Sequence, residues 1–273
     1  MNLFTIDGTR CTRCGACVDE CPARIIALAD RQSLPETVPG GEELCISCGH
    51  CVAVCPHGAL SLHAMPVEDC TLITERTDDP AFAERFLRSR RSIRSYKKQS
   101  VDKPTIERLI DIARHAPSGH NSQPLEWLVV YDQDKTRGLA GLVVEWMRAV
   151  LRDFPEQAKA VHMDLIIAGW EMGIDAVLRG APHLVLCHAP KDNMMARPAG
   201  TIAIAYLELA APSLGLGSCC SGFFDAALGF YPPLAEAVGL PQGHAGFGSA
   251  ILGYPRHRYH RMPRRNPAKI TWK

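Results

Sequence analysis

Cys11-Thr12-Arg13-Cys14-Gly15-Ala16-Cys17-Val18-Asp19-Glu20-Cys21-Pro22 returns, about 34 residues later, as Cys45-Ile46-Ser47-Cys48-Gly49-His50-Cys51-Val52-Ala53-Val54-Cys55-Pro56. Gly15 superposes on Gly49 and Val18 on Val52. In each copy three thiols at two-residue gaps let a tight loop wrap one corner of an iron–sulfur cube, with backbone N–H groups turned to the sulfides. The fourth cysteine lies too far along the chain to close the same cube, so it goes to the other one. Cys11, Cys14, Cys17 and Cys55 are therefore the expected ligands of one [4Fe–4S] centre, and Cys45, Cys48, Cys51 and Cys21 those of its partner. Zinc sites also use Cys-x2-Cys pairs, but a tetrahedral zinc site has no use for a third cysteine two residues further on.

With both motifs complete, each closed by Cys-Pro, residues 1–66 resemble a bacterial two-cluster ferredoxin. The short apolar segments 25–28 and 59–62 follow the motifs and are expected to form this small domain's core over the clusters. So small a domain depends on its metal to stand. Cys70, outside both patterns, reads as a buried or linker thiol.

The whole chain has 273 residues, 47% of them hydrophobic and 22% charged, which fits two unequal domains and excludes general disorder. Thirty Lys+Arg against 29 Asp+Glu leave a formal net charge of +1, too weak a field to argue for nucleic acid or an anionic membrane as the main partner. The N-terminus lacks the plan of a secretory signal, and no apolar run is long enough for a transmembrane helix, so a cytoplasmic protein is expected. Twelve cysteines in such a chain read as metal ligands rather than as a disulfide framework.

Residues 67–84 read as a linker between domains 1–66 and 85–273, with Asp78-Asp79-Pro80 a helix start. Asp102 and Pro104 open a helix whose apolar positions Ile106, Leu109, Ile110 and Ala113 recur at helical spacing, closed by Pro117 and Gly119. A strand is expected at 127–131, a long and largely buried helix at 158–178, a strand at 183–187, a helix at 199–214, a strand or loop at 215–221 and a strand at 247–252. Periodicity alone leaves α+β and α/β arrangements both open.

Arg90-Arg91-Ser92-Ile93-Arg94-Ser95-Tyr96 gathers arginines and hydroxyls suited to gripping a phosphate, although alone such a run is equally a solvated surface. Ala116-Pro117-Ser118-Gly119-His120-Asn121-Ser122-Gln123-Pro124 follows and leads into a strand. Together with Gly215-Leu216-Gly217, Gly222-Phe223, the closing Gly253-Tyr254-Pro255 and Arg264-Arg265, in this order, these motifs resemble the FMN-dependent nitroreductase family from about Phe86 to Trp272. The resemblance implies an α+β domain whose central, mainly antiparallel sheet is flanked by helices. It further implies that Arg90, Arg91, Ser92 and Arg94 hold the FMN phosphate and ribityl chain. Ser118, Asn121 and Gln123 would address the ring or ribityl hydroxyls, and Arg264 and Arg265 would complete the phosphate clamp. The loop from Cys219 through Cys220 and Ser221 to Gly222 would run along the isoalloxazine, with a backbone N–H of Ser221 or Gly222 donating to flavin N5. The vicinal Cys219 and Cys220 depart from the better-known members; they read as small polarizable fillers rather than as a redox pair, because no His or Lys nearby lowers a thiol pKa.

From Ala237 onward seven Lys or Arg stand with no Asp or Glu, which a flavin phosphate and an acidic partner surface account for without nucleic acid. The expected activity is an FMN oxidoreductase that takes electrons through two [4Fe–4S] clusters to FMN and on to an electron-poor organic acceptor: a nitroaromatic, a quinone or an activated alkene. A dehydrogenase running in reverse and a non-catalytic redox-sensing module are the alternatives. The donor is a ferredoxin-like protein or NAD(P)H, and no Gly-x-Gly-x-x-Gly fingerprint decides between them. The resemblance also implies a homodimer with FMN at the subunit interface. No residue is assigned as catalytic, because the chemistry belongs to the cofactor.

Overall fold

The computed structural model describes residues 2–74 and 79–273. The chain packs as two units, Met1–Asp78 with Gly119–Ser122, and Asp79–Ser118 with Gln123–Lys273.

In the first unit β1 (Phe4–Ile6), α1 (Ala16–Asp19), β2 (Ile26–Ala27), β3 (Glu36–Thr37), α2 (His50–Ala53) and β4 (Leu60–Leu62) follow one another. β1 pairs antiparallel with β4, Phe4 opposite Leu62, and β2 pairs with β3. The tandem repeat of the sequence is a repeat of conformation. Arg13 and Ser47, at equivalent positions, both have positive φ, as do Gly15 (79°) and Gly49 (73°), which open α1 and α2. Left-handed residues alternating with right-handed ones turn successive N–H groups to one side, making an anion-binding concavity of the kind found at iron–sulfur sites. Ile25, Ile26, Leu60 and Leu62 are buried against Cys17, Cys21 and Cys51, so the core of this unit is built on its cysteines. Cys70 packs at the edge of that core, its Sγ 3.5 Å from the Pro66 carbonyl.

The second unit begins with α3 (Pro80–Ser89), N-capped by Asp79, whose carboxylate accepts from the Ala81 N–H. The Asp78 of the expected helix start lies outside the described residues. α4 (Lys103–Ala113) starts as its sequence predicts: Asp102 accepts from the Thr105 N–H at 2.9 Å, and Ile106, Leu109 and Ala113 are buried. Then come β5 (Glu126–Val130), α5 (Gln133–Asp153), α6 (Pro155–Ala160), α7 (Met163–Glu171), β6 (His183–Pro190), α8 (Ala196–Ala210), β7 (Gly217–Cys220), α9 (Gly222–Phe230), α10 (Pro232–Val238) and β8 (His244–Gly253).

The four strands lie in the order β5-β6-β8-β7, every pair antiparallel, with one hydrophobic cluster on each face. α5, α7, α9 and α10 cover one face; α4 and α8 cover the other. This is the α+β arrangement that the resemblance implies. The single helix expected at 158–178 is a correction. His162 takes φ 61° and separates α6 from α7, α7 ends at Glu171, and Leu165, Met172 and Ile174 are exposed. An apolar run imitates helical periodicity without fixing its backbone. α5, the longest helix described, was not among the expected elements, although Leu139, Val143 and Met147 recur on its buried side.

Candidate functional site

In the first unit, Cys11, Cys14, Cys17 and Cys55 line one cavity, with Pro56 and His57 beside them. Cys21, Cys45, Cys48 and Cys51 line a second, with Pro22 beside them. Each cavity takes three thiols from one copy of the repeat and the fourth from the other. Backbone donors already point at sulfur: the Ser47 N–H lies 3.4 Å from Cys45 Sγ and the Ala59 N–H 3.2 Å from Cys55 Sγ. Burial pushes the Cys17 thiol up, and the nearby Cys55, Cys11 and Cys14 push it further. Burial likewise raises Cys51 to about 11, with Cys48 and Cys21 adding to it. Burial acts to raise Cys55 too, but the N–H groups of Ala59, His57, Leu60 and Gly58 outweigh it and lower its pKa. Four thiols forced together in a half-buried cavity repel one another as thiolates until a cationic iron core neutralises them, and this donor set fits a [4Fe–4S] cube.

In the second unit, the residues after α3 run along the sheet edge. The Ile93 N–H donates to the Ser218 carbonyl of β7, the Lys97 N–H to Tyr254 and the Arg256 N–H to Ser95, each at 2.9 Å. Gly217 permits the approach, since a Cβ there would lie 2.6 Å from Ile93 Cγ1. The segment carries Arg90 to within 3.6 Å of the Glu208 carboxylate on α8, and Cys220 Sγ donates to the other oxygen of Glu208 at 3.2 Å. Arg90 Nη1, Glu208 Oε1 and Ser221 Oγ are buried without a hydrogen-bond partner. Arg90 Nη1 and Glu208 Oε1 face each other as an ion pair too long for a hydrogen bond, and each keeps capacity for a further polar partner. A cation, a carboxylate and a hydroxyl at one edge fit a phosphorylated, hydroxyl-bearing molecule such as FMN.

The other expected site residues are distributed as follows. Ser92 is half-buried and Arg94 exposed, while Arg91 folds back to bond the Arg88 carbonyl at the end of α3. Ser118 and Gln123 line a hollow with Ala199 and Ala203 of α8, and the Gln123 N–H donates to Ser118 Oγ at 2.9 Å. His120, Asn121 and Gln123 all have positive φ, at 53°, 52° and 44°. Such strain in non-glycine residues persists only where the surroundings over-determine it. Asn121 belongs to the first unit, where its Nδ2 donates to the Ser47 carbonyl at 3.0 Å and to Ile46 at 3.3 Å. Gly222 starts α9 and is exposed. Arg264 and Arg265 are exposed, and among the described residues neither enters an ion pair.

Three residues at this edge escaped the sequence reading: Glu208, Asp225 and Ser249. Asp225 on α9 accepts from Ser249 Oγ at 2.6 Å and from the Ser249 N–H at 3.3 Å. Burial pushes its carboxyl up to about 6, against the pull of these two bonds. Burial and Glu208 push the Cys220 thiol up to about 12, so it stays protonated although part of the residue reaches solvent. Cys219 is buried, its Sγ donating to the Cys220 carbonyl at 3.5 Å. Cys220, Asp225 and Ser249 share a broad cleft with Arg197, Phe247 and His244.

A family model described as the nitroreductase family matches residues 87–254, and a 4Fe-4S dicluster domain model matches residues 10–59. The chain belongs to the nitroreductase family. Nitroreductase NfnB of Mycolicibacterium smegmatis is 29% identical over 74% of this chain and 97% of its own length. An iodotyrosine deiodinase of Thermotoga neapolitana is 31% identical over 48% of this chain and 68% of its own. Among solved structures, a Bacteroides fragilis nitroreductase with bound FMN superposes with a TM-score of 0.55 at 21% identity, over 69% of this chain and 96% of that one, which speaks to the fold. As a nitroreductase-family protein the chain is unlike these relatives in length: the match to NfnB takes nearly all of NfnB but leaves a quarter of this chain over. The dicluster domain occupies the N-terminal part. Among the described residues no helix is long and apolar enough to cross a membrane.

Proposed function

We propose that this chain is an FMN-dependent oxidoreductase that draws electrons through two [4Fe–4S] clusters to FMN and delivers them to an electron-poor organic acceptor, such as a nitroaromatic, a quinone or an activated alkene. The observation that carries this reading is that two four-cysteine cavities and a nitroreductase-family sheet with unmatched polar atoms at its edge occur on one chain. Cys11, Cys14, Cys17 and Cys55 would ligate one cluster; Cys21, Cys45, Cys48 and Cys51 the other. Bound FMN supplies the conversion between single-electron and two-electron chemistry.

The chain's own residues do the rest. Arg90, Arg91, Ser92 and Arg94 bind the phosphate and ribityl chain by charge-assisted hydrogen bonds, with Arg264 and Arg265 added from the tail. Ser118 and Gln123 orient the ring or the ribityl hydroxyls. The backbone N–H of Gly222 stabilises charge on the ring edge, since that of Ser221 already donates to the Ser249 carbonyl at 3.1 Å. Asp225 follows that loop, its N–H bonded to the Ser221 carbonyl at 3.0 Å, and gains or loses its proton around pH 6. A ferredoxin-like protein or NAD(P)H supplies the electrons, and the working form is a homodimer.

The test is anaerobic. Pure protein should hold about eight irons and one FMN per chain. After reductive titration, stopped-flow mixing with an acceptor panel should reoxidise flavin and clusters together. Flavin that stays reduced against every acceptor would give the reading to a redox-sensing module, and protein that takes up neither iron nor flavin would end it.

A further inference from the structure

We propose that Glu126, His188 and His244 form a binding site for one divalent zinc ion at the end of the β5–β6–β8 sheet. The donor atoms of the three side chains all lie within 4.8 Å of one another. His188 Nδ1 and His244 Nδ1 are 3.0 Å apart, with the rings tilted at 57°. Two imidazole nitrogens bound about 2.0–2.1 Å from one zinc ion at a tetrahedral angle are about 3.3 Å apart, so these two rings need move only a few tenths of an ångström.

Strand register brings the three together. Glu126 and His188 are direct cross-strand partners and so share a face. His244 joins them through a bulge. Cys187 pairs with Gly248 but His188 pairs with Gly246, which leaves Phe247 as the extra residue in β8. With an unbroken ladder His188 would oppose Phe247, and His244 would project from the opposite face. The bulge shifts every residue of β8 before Phe247 by one position, and the partner it gives His188 is Gly246.

The chemistry of the set fits zinc. Two imidazoles and one carboxylate make three protein ligands and leave a fourth position for water. His188 is 4% exposed, and its Nδ1 already faces His244 Nδ1. His244 borders the cleft shared with Cys220 and Asp225, and Glu126 is exposed, so an ion can reach the site from solvent. None of the three residues lines a cysteine cavity, and none is among the residues assigned to FMN.

The experiment is zinc titration of the full-length protein, clusters and FMN in place and oxygen excluded, by equilibrium dialysis with metal analysis. One zinc per chain beyond the cluster iron is expected. Glu126→Gln, at an exposed position, should weaken uptake by more than the roughly 10-fold that losing a supporting residue gives. His244→Ala should abolish uptake, with circular dichroism confirming that both variants fold. X-ray absorption at the zinc edge should show nitrogen and oxygen near 2.0–2.1 Å and no sulfur shell at about 2.3 Å. No uptake by the parent protein, unchanged uptake by Glu126→Gln and His244→Ala, or zinc ligated by sulfur would each overturn the proposal and leave a hydrogen-bonded histidine pair.

Discussion

Replacing Asp225 by asparagine should make the protein more stable at pH 8. The carboxyl stands at about 6 in the fold against 3.8 in an unfolded chain. About two pH units at 1.36 kcal/mol each amount to about 3 kcal/mol. The folded-state pKa is the higher one, so the protonated carboxyl's contribution is complete below pH 4 and is lost as the pH rises through 6. Above that the fold bears the whole cost of a buried carboxylate. An asparagine oxygen can still accept from Ser249 Oγ, but its amide group faces the Ser249 N–H, and one lost bond returns about 1 kcal/mol. The net gain of about 2 kcal/mol corresponds to a rise in Tm of about 4–8 °C for a domain of this size. Thermal unfolding followed by circular dichroism on holoprotein with matched iron and flavin content, at pH 8 and at pH 5, is the assay. The gain should shrink at pH 5, where the wild-type carboxyl is already protonated. A variant less stable by the same amount at both values would refute the reasoning, because it would mean that the carboxylate is held by a favourable partner rather than penalised by burial.

The crossed ligand sets predict a contrast between double variants: Cys11→Ala/Cys55→Ala strikes one cavity and should keep about four irons, whereas Cys45→Ala/Cys55→Ala strikes both and should keep none. Iron analysis of anaerobic preparations checks this, and the reverse pattern would mean that each repeat completes its own cluster. Arg90→Ala removes a charge-assisted donor worth about 1.5–3 kcal/mol, so FMN affinity by flavin fluorescence quenching should fall at least about 10-fold. The Cys220 thiol, pushed up to about 12, should react with iodoacetamide at pH 8 far more slowly than free cysteine. Rapid labelling there would restore a redox role for the pair.

What the sequence disclosed and what it concealed divide along a physical line. The cysteine spacing is a local pattern, and it foretold even the exchange of Cys21 and Cys55 between cavities, because a chain of three intervening residues cannot reach back to its own cube. The cap at Asp102 was equally local. Glu208 was invisible because nothing in its neighbourhood announces that Arg90 and Cys220, far apart in sequence, converge on it. The grouping of Glu126, His188 and His244 depends on a one-residue slip in strand pairing that single-sequence periodicity does not encode. The break at His162 turns on one residue's left-handed backbone within an otherwise helix-like run.

The interchange of fourth cysteines also bears on the order of biogenesis. As a nascent polypeptide emerges, the quartet formed by Cys21, Cys45, Cys48 and Cys51 is complete first, while the earlier motif waits with three thiols for Cys55. On the proposed ligand sets, the motif translated first is thus the last to gain its full complement of thiols.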